Sequence, residues 1–274
     1  MELQIITVYC LCADLLSGMG HQENEQCKVS DAEIMTIGIV AALYFGGNYN
    51  SARRMLWEQG YIPGTLGKSR FSRRLHRVKG HYLTLFAILG EVWKEENEDD
   101  IYVVDTYPLP VCDNIRISRC KLYQEEKYRG YKASKKSWFY GVKIHMMVTK
   151  DGQPVEFFLT AGSFSDTTGL ELFDFDLPPG SLVIGDKAYN YYLIEDILDD
   201  ADIQLRPVRK KRSKRPLEGW LRFFQHQYRQ AAETAGSMIE RLRPKSIHAT
   251  STEGFELKVV LFCLASSIQW MLPS

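Results

Sequence analysis

The chain has no excess of charge. Its 34 lysines and arginines are balanced by 34 aspartates and glutamates over 274 residues, so net charge alone points to no polyanionic partner. It has no long apolar run either. Ile34 to Phe45 and Val259 to Leu272 are the longest; both fall short of the ~18–20 residues of a membrane span, and polar residues or glycine interrupt each. The N-terminus lacks the basic segment of a secretory signal and carries Glu2 and Asp14, which predicts a soluble intracellular protein without a membrane partner. The six cysteines lack the paired spacing of a zinc knuckle. Outside a secretory context they read as free thiols, with a zinc site from Cys10, Cys12 and Cys27 as the lesser alternative. No internal repeat is present. What remains is a globular composition, 45% apolar and 12% aromatic, which excludes overall disorder.

The distribution of charge says more than its sum. Basic residues gather in three blocks. The first contains Arg53, Arg54, Lys68, Arg70, Arg73, Arg74, Arg77 and Lys79. The second runs from Arg116 to Lys136 with Tyr123, Tyr128 and Tyr131 interleaved and Trp138 just beyond. The third packs Arg206, Arg209, Lys210, Lys211, Arg212, Lys214 and Arg215 into ten residues. One such block is most simply a solvated loop. Three of them, one mixed with aromatics able to stack on bases, point to a nucleic-acid partner.

Residues 1–97 read as a small helical domain. Ser30, with Glu33 three residues later, is the signature of a capping box before the apolar run that Gly46-Gly47 stops. Short helices follow at 50–59, 68–78 and 82–94, the second of them basic, an arrangement that suits a helix-turn-helix-like DNA reader. From residue 98 the periodicity changes. Ile101 to Val104 is a strand expected to end at Asp105, because Tyr107-Pro108-Leu109-Pro110 should leave regular structure. Ser137 to Thr149 alternates as a strand, Asp151-Gly152 is a hairpin turn, and Pro154 to Thr160 returns. Leu170 to Phe175 reads as a short helix and Ser181 to Gly185 as a buried strand ending at Asp186. A helix over 191–199, a strand over 203–208 and a long helix over 220–243 complete a mixed α/β layer.

Two apolar strands thus end in aspartates, Asp105 and Asp186. The carboxyl end of a buried strand is where open α/β sheets place their ligands. If the strands are neighbours, the two like charges share one crevice edge, and a divalent cation between them resolves the repulsion. On the long helix, Phe224, Tyr228, Ala231, Ala235, Met238 and Leu242 form an apolar stripe; Glu233 and Glu240 point the other way, and the helical wheel does not separate them.

In order and spacing, VVDTYPLPVCDN, LTAGSFSDTTG, IGDKAYN and YRQAAETAGSMIERLR resemble the catalytic domain of DDE transposases of bacterial insertion sequences, over roughly residues 100–265. The resemblance implies a ribonuclease H-like mixed sheet with flanking helices in residues 98–274, preceded by the helical DNA-binding domain. It implies Asp105, Asp186 and Glu233 as the catalytic, metal-holding carboxylates, with Glu240 and Asp113 as second choices. It also implies two Mg²⁺ ions, Mn²⁺ as substitute, and cleavage followed by strand transfer. Lys187 and Arg229 would contact phosphates beside the metals, Asp166 would lie behind them, and Tyr189 would stack on a base or sit in the core. His145 reads as a sheet residue rather than a ligand. The partners implied are double-stranded DNA, both terminal inverted repeats and target, engaged by a homodimer in a prokaryotic, nucleoid-associated setting. Arg209, Lys210, Lys211, Arg212, Lys214 and Arg215 would track the backbone, and Arg70, Arg73, Arg74 and Arg77 would read the repeats. A ribonuclease H-like nuclease that cuts without joining, or an inactive DNA-binding relic, is the alternative.

Overall fold

The computed structural model describes the whole chain apart from residues 25, 113, 133–135, 210, 218, 273 and 274, and the backbone alone of 114, 115, 226 and 229. In chain order the elements are α1 (Glu2–Gly18), α2 (Asp31–Tyr44), α3 (Tyr49–Glu58), α4 (Lys68–Arg77), α5 (Lys79–Glu95), β1 (Ile101–Pro110), β2 (Arg129–Lys132), β3 (Ser137–Thr149), β4 (Pro154–Ala161), α6 (Asp166–Gly169), β5 (Leu182–Gly185), α7 (Tyr192–Asp200), β6 (Gln204–Pro207), α8 (Gly219–Leu242) and α9 (Thr252–Ile268). Two units divide them: residues 1–89 with 238–274, and residues 90–237. No helix among the described residues is long and apolar enough to cross a membrane.

The first unit is helical. The Glu33 amide donates to Ser30 Oγ at 3.1 Å and the Ser30 amide to the Glu33 carboxylate at 2.6 Å, the reciprocal cap expected of that spacing. The α2 that follows is apolar on nearly every side, so it is buried all round, with α1, α3, α4 and α9 packed against it. Contact with α2 explains a difference from the sequence reading. The sequence places residues 238–274 with the catalytic domain; in the fold the apolar face of α9 is covered by α2, and this tail groups with the N-terminal helices. Cys12 is buried beside this core while Cys10 and Cys27 are exposed. Among the described residues no cluster of three metal-ligating side chains exists, so the alternative zinc site is not formed.

The second unit is built on a six-stranded mixed sheet. β3 runs antiparallel to β1, with β2 and β4 antiparallel to β3, while β5 is parallel to β1 and β6 parallel to β5. With helices flanking it, this is the mixed α/β sheet that the sequence led one to expect. The Asp151-Gly152 turn joins β3 to β4, Gly152 taking the positive φ of 99° that such a turn requires.

Three local expectations fail for identifiable reasons. β1 does not end at Asp105 but continues through both prolines to Pro110, paired with β3 throughout. The Val111 amide donates to Tyr140 O, so by the two-residue period the amide positions of 106, 108 and 110 face the other edge. There β5 has already stopped, its pairing ending at Val104 opposite Gly185, and a proline removes no ladder bond. β2 was hidden in a basic block: Tyr131 pairs with Trp138 and Arg129 with Tyr140. Finally, the turn of helix expected over 170–175 starts earlier, at Asp166. Ser165 caps it, accepting the Thr168 amide at 3.0 Å, and Phe173 leaves it to pack on Phe158 at 4.8 Å between ring centroids.

Glu156 on β4 carries a pH-dependent share of this unit's stability. Its carboxylate accepts the Asp174 amide at 2.8 Å, and burial, helped by the neighbouring Asp174 charge, pushes its pKa up to about 7 from 4.5. The folded chain therefore holds this proton where the unfolded chain has lost it. The associated stability is complete below pH 4.5 and disappears as pH rises through about 7. Glu156→Gln keeps an acceptor and removes the titration. It is expected to be more stable than wild type at pH 8 by about 2 kcal/mol, with the gap closing at pH 4.5; urea unfolding at the two pH values measures it, and an equal gap at both would contradict it.

Candidate active site

The register of β1 and β5 sets the geometry of the site. Val103 is opposite Ile184 and Val104 opposite Gly185, so Asp105 and Asp186 are the next residues along two parallel strands. Parallel neighbours in register project to the same face, with strands ~4.8 Å apart. Both aspartates are half-buried. Asp186 caps the 3₁₀ turn Lys187–Tyr189, accepting the Ala188 amide at 2.6 Å. Asp105 Oδ1 accepts the Thr106 amide at 2.8 Å, one of the outward amides left beyond the end of β5. Two carboxylates so arranged repel one another, and a hard divalent cation held by oxygen donors is what such a pair suits.

Tyr107 connects this edge to α8. Lying two residues beyond Asp105, it projects to the same face. Its hydroxyl donates to the carbonyl oxygen of Ala232, and its ring fills the space over Gly236, where a Cβ would lie only 2.3 Å from the ring. Glu233 follows Ala232 directly and its side chain is exposed, while Ala231, Ala232 and Ala235 are buried. The α8 segment 232–236 is therefore seated on the face that carries the two aspartates. Among the described residues no three Asp, Glu, His or Cys side chains converge closely enough to share an ion, so Glu233 does not close on both aspartates in this structure. Glu240 belongs to the other unit and pairs with Arg243 at 3.4 Å. Asp113 and Lys210 lie outside the described residues, as does the Arg229 side chain.

The opposite face of the same strands is closed by a buried polar chain. Thr106 Oγ1 meets the Tyr189 hydroxyl at 2.6 Å and His145 Nδ1 at 3.2 Å, and His145 Nε2 meets Thr160 Oγ1 at 2.9 Å. His145 is fully buried, and burial pushes its pKa down to about 4; it is a neutral sheet residue. Burial, then the Asp105 charge, holds the Tyr189 phenol well above its ordinary pKa. At 1% exposure Tyr189 is a core side chain and does not stack on a base. Asp166 is paired with Lys143 at 2.8 Å, fixing the loop at the start of α6.

Beside this edge lies an open groove of about 630 Å³, lined by Arg129, Tyr131, Trp138, Lys143 and Lys187 among others. Tyr131 and Trp138 are about half exposed with ring centroids 5.1 Å apart, and the Arg129 guanidinium sits 4.5 Å from the Trp138 centroid. The sequence marked these residues as an aromatic–basic block but gave no sign of the strand that aligns them.

The basic loop after β6 divides into two kinds of residue. Arg209 is engaged by the buried Glu195 of α7 through both oxygens, at 2.6 and 2.8 Å, and Arg215 makes a bidentate pair with Asp196. These two brace the loop on α7, whereas Lys211, Arg212 and Lys214 are exposed. On α4, Phe71 and Leu75 are buried and Arg70, Arg73 and Arg77 are exposed. Arg74 turns inward to Asp31, Glu23 and the carbonyl of Val29.

The comparisons with known proteins bear on the same segments. Among curated proteins none matches the chain. Among solved structures, the piggyBac transposase synaptic complex with hairpin DNA is similar over 97% of this chain and 72% of that one, at 10% identity and a TM-score of 0.47. The Mos1 mariner paired end complex with Mn is similar over 81% and 79%, at 11% identity and a TM-score of 0.22. The model for the family described as Transposase DDE domain matches residues 95–242, more than half of the chain and the whole of the segment from β1 through α8 that carries Asp105, Asp186 and Glu233. By that match the chain belongs to the DDE transposase family.

Proposed function

We propose that this transposase acts on the ends of a prokaryotic insertion sequence, with Asp105, Asp186 and Glu233 as the carboxylates that hold its metal ions. The family works with divalent metal ions; the reading here is two Mg²⁺, with Mn²⁺ as substitute. The observation that carries it is the placement of Asp105 and Asp186 as adjacent residues on parallel strands, where β5 stops and leaves the β1 edge open. Bound divalent cations activate the attacking oxygen and stabilise the leaving one in phosphodiester cleavage. Asp105 and Asp186 would hold that charge at the sheet edge, and Glu233 would complete the set once α8 brings it to them. Water would attack the phosphodiester at the element end and break its P–O3′ bond, leaving a 3′-hydroxyl and a 5′-phosphate; that hydroxyl would then attack a target phosphodiester, lose its proton and displace the target's own 3′-oxygen as a new 3′-hydroxyl.

The rest of the chain binds and orients the DNA. Lys187, next to Asp186, and Arg229, one helical turn before Glu233, contact phosphates beside the scissile bond. The Tyr131–Trp138 pair with Arg129 offers a stacking platform for a base along the groove. Lys211, Arg212 and Lys214 track the backbone, with Arg209 and Arg215 holding their loop in place. Arg70, Arg73 and Arg77 on the outer face of α4 engage the terminal repeats, and two copies of the chain bring two ends together.

Cleavage and strand transfer on DNA carrying the element's own ends, in Mg²⁺ or Mn²⁺, tests this reading. Glu233→Gln is expected to lower both activities roughly a thousandfold and Glu240→Gln to leave them within a few-fold of wild type. The reverse order would move the third carboxylate to Glu240. Cleavage without joining would favour a nuclease, and binding without cleavage a relic.

A further inference from the structure

Asp105 and Asp186 stand one residue past the last pairing of their strands, which ends at Val104 opposite Gly185. Like charges at that point push the strand tips apart, where no further ladder pair joins them. A side-chain link on the other face of the sheet spans the same gap. Tyr189 ends the 3₁₀ turn that Asp186 caps, and its ring folds back over Gly185, where a Cβ would lie 3.0 Å from the ring. Its hydroxyl reaches across to β1 and meets Thr106 Oγ1 at 2.6 Å. Thr106 is also the residue whose amide donates to Asp105 Oδ1. One end of the link therefore carries Asp186 and the other carries Asp105.

The groups along this chain fix the direction of its protons. Tyr189 is 1% exposed, so its proton needs an acceptor within the protein, and Thr106 Oγ1 supplies it. Thr106 then donates to His145 Nδ1 at 3.2 Å, and His145 Nε2–H donates to Thr160 Oγ1 at 2.9 Å. Run the other way, the chain would leave the buried Tyr189 proton without this acceptor. His145 is itself immobilised. Its ring stacks on Phe158 with centroids 4.7 Å apart and lies against Gly169, where a Cβ would come within 2.5 Å of it. The Thr106 hydroxyl is thereby oriented before Tyr189 meets it. An apolar pair of the same shape, Phe beside Val, would cost the fold little. What it would give up is a directional tether between the segments that carry the two carboxylates.

We propose that Tyr189 and Thr106 are positioning residues, whose hydrogen bond sets the separation of the Asp105 and Asp186 carboxylates and so their grip on a divalent cation. The inference rests on the reading of these aspartates as metal-holding.

Mn²⁺ binding to the full-length, DNA-free protein, followed by the paramagnetic resonance of the free ion, tests it without any cleavage step. Tyr189→Phe keeps the ring over Gly185 and is expected to weaken binding about fivefold, the equivalent of one hydrogen bond. Thr106→Val should weaken it to a similar extent, and the double variant no more than either single one, since both cut the same link. Thr106→Ser retains the hydroxyl and should stay within about twofold of wild type. If Thr106→Val is poorly folded, Tyr189→Phe and Thr106→Ser carry the comparison. Without metal, Tyr189→Phe should melt about 2–4 °C below wild type. That fall beside an unchanged Mn²⁺ affinity would mean a purely structural contact and would overturn the proposal, as would additive losses in the double variant. Asp105→Asn runs in parallel. Binding that Asp105→Asn abolishes and Tyr189→Phe spares refutes the tether but keeps the aspartates as metal ligands. Binding that Asp105→Asn leaves intact, or no binding in wild type, removes the metal-holding reading and the tether with it.

Discussion

Asp105→Asn and Asp186→Asn are each expected to reduce DNA cleavage roughly a thousandfold while leaving binding of uncut DNA within a few-fold. In the absence of metal, both should melt at the wild-type temperature or above it. The two outcomes come from one cause. Adjacent positions on parallel strands bring two like charges to one edge, a cost that a bound cation would offset. Asparagine keeps the short polar side chain at each position. At 186 it still offers an oxygen to the Ala188 amide, and at 105 to the Thr106 amide, so what disappears is one negative charge. Single-turnover cleavage in Mg²⁺, fluorescence anisotropy on uncut duplex, and melting curves with and without Mg²⁺ measure the three quantities. Mg²⁺ should raise the melting temperature of wild type more than that of either variant. A variant that cleaves within tenfold of wild type, or a metal-free protein strongly destabilised by the substitution, would remove these aspartates from the metal-holding role.

Gly236→Ala should be the most damaging change that touches no charged or reacting group. Its Cβ would lie 2.3 Å from the nearest atom of the Tyr107 ring and 2.7 Å from the next, well inside ordinary contact, so the ring or the helix must give. Tyr107 is anchored at its far end on the Ala232 carbonyl, one turn earlier on α8, and so relief comes from displacing α8 relative to β1. The overpacking is expected to cost about 1–3 kcal/mol, and a shift near 1 Å of the residues around Glu233 to cost roughly a hundredfold in cleavage. Tyr107→Phe is the control: it gives up the hydrogen bond, worth about 1 kcal/mol, but leaves the ring over Gly236, and should lose far less activity. Cleavage rates and urea unfolding of the two variants decide the matter. Equal losses in both would mean that the hydroxyl, not the close approach at Gly236, seats α8.

The elements of the sheet were largely readable because their signals are local: alternation over Ser137–Thr149, the Asp151-Gly152 turn, and a polar residue at the end of a β-rich run. The capping box of α2 was readable for the same reason. What escaped was set by partners distant in sequence. Pro108 and Pro110 break a strand only if their amide positions face a neighbour, and where β5 stops is not written in β1. Arg74, Arg209 and Arg215 look like their exposed neighbours in sequence, yet Asp31, Glu195 and Asp196 hold them. Tyr107 gave no signal at all, since its partners on α8 lie about 125 residues away. The same holds for α9, an apolar run whose cover is α2.

One feature of β1 also bears on how the chain avoids self-association. A strand edge with regularly spaced amides is a template on which another strand can add, and natural sheets blunt such edges. Beyond the end of β5 the outward amide positions of β1 are 106, 108 and 110. The first is occupied by Asp105 Oδ1 and the other two are proline, so an incoming strand finds no donor at any of them. That stretch of β1 is thereby barred to β-augmentation and to the edge-to-edge stacking that begins aggregation.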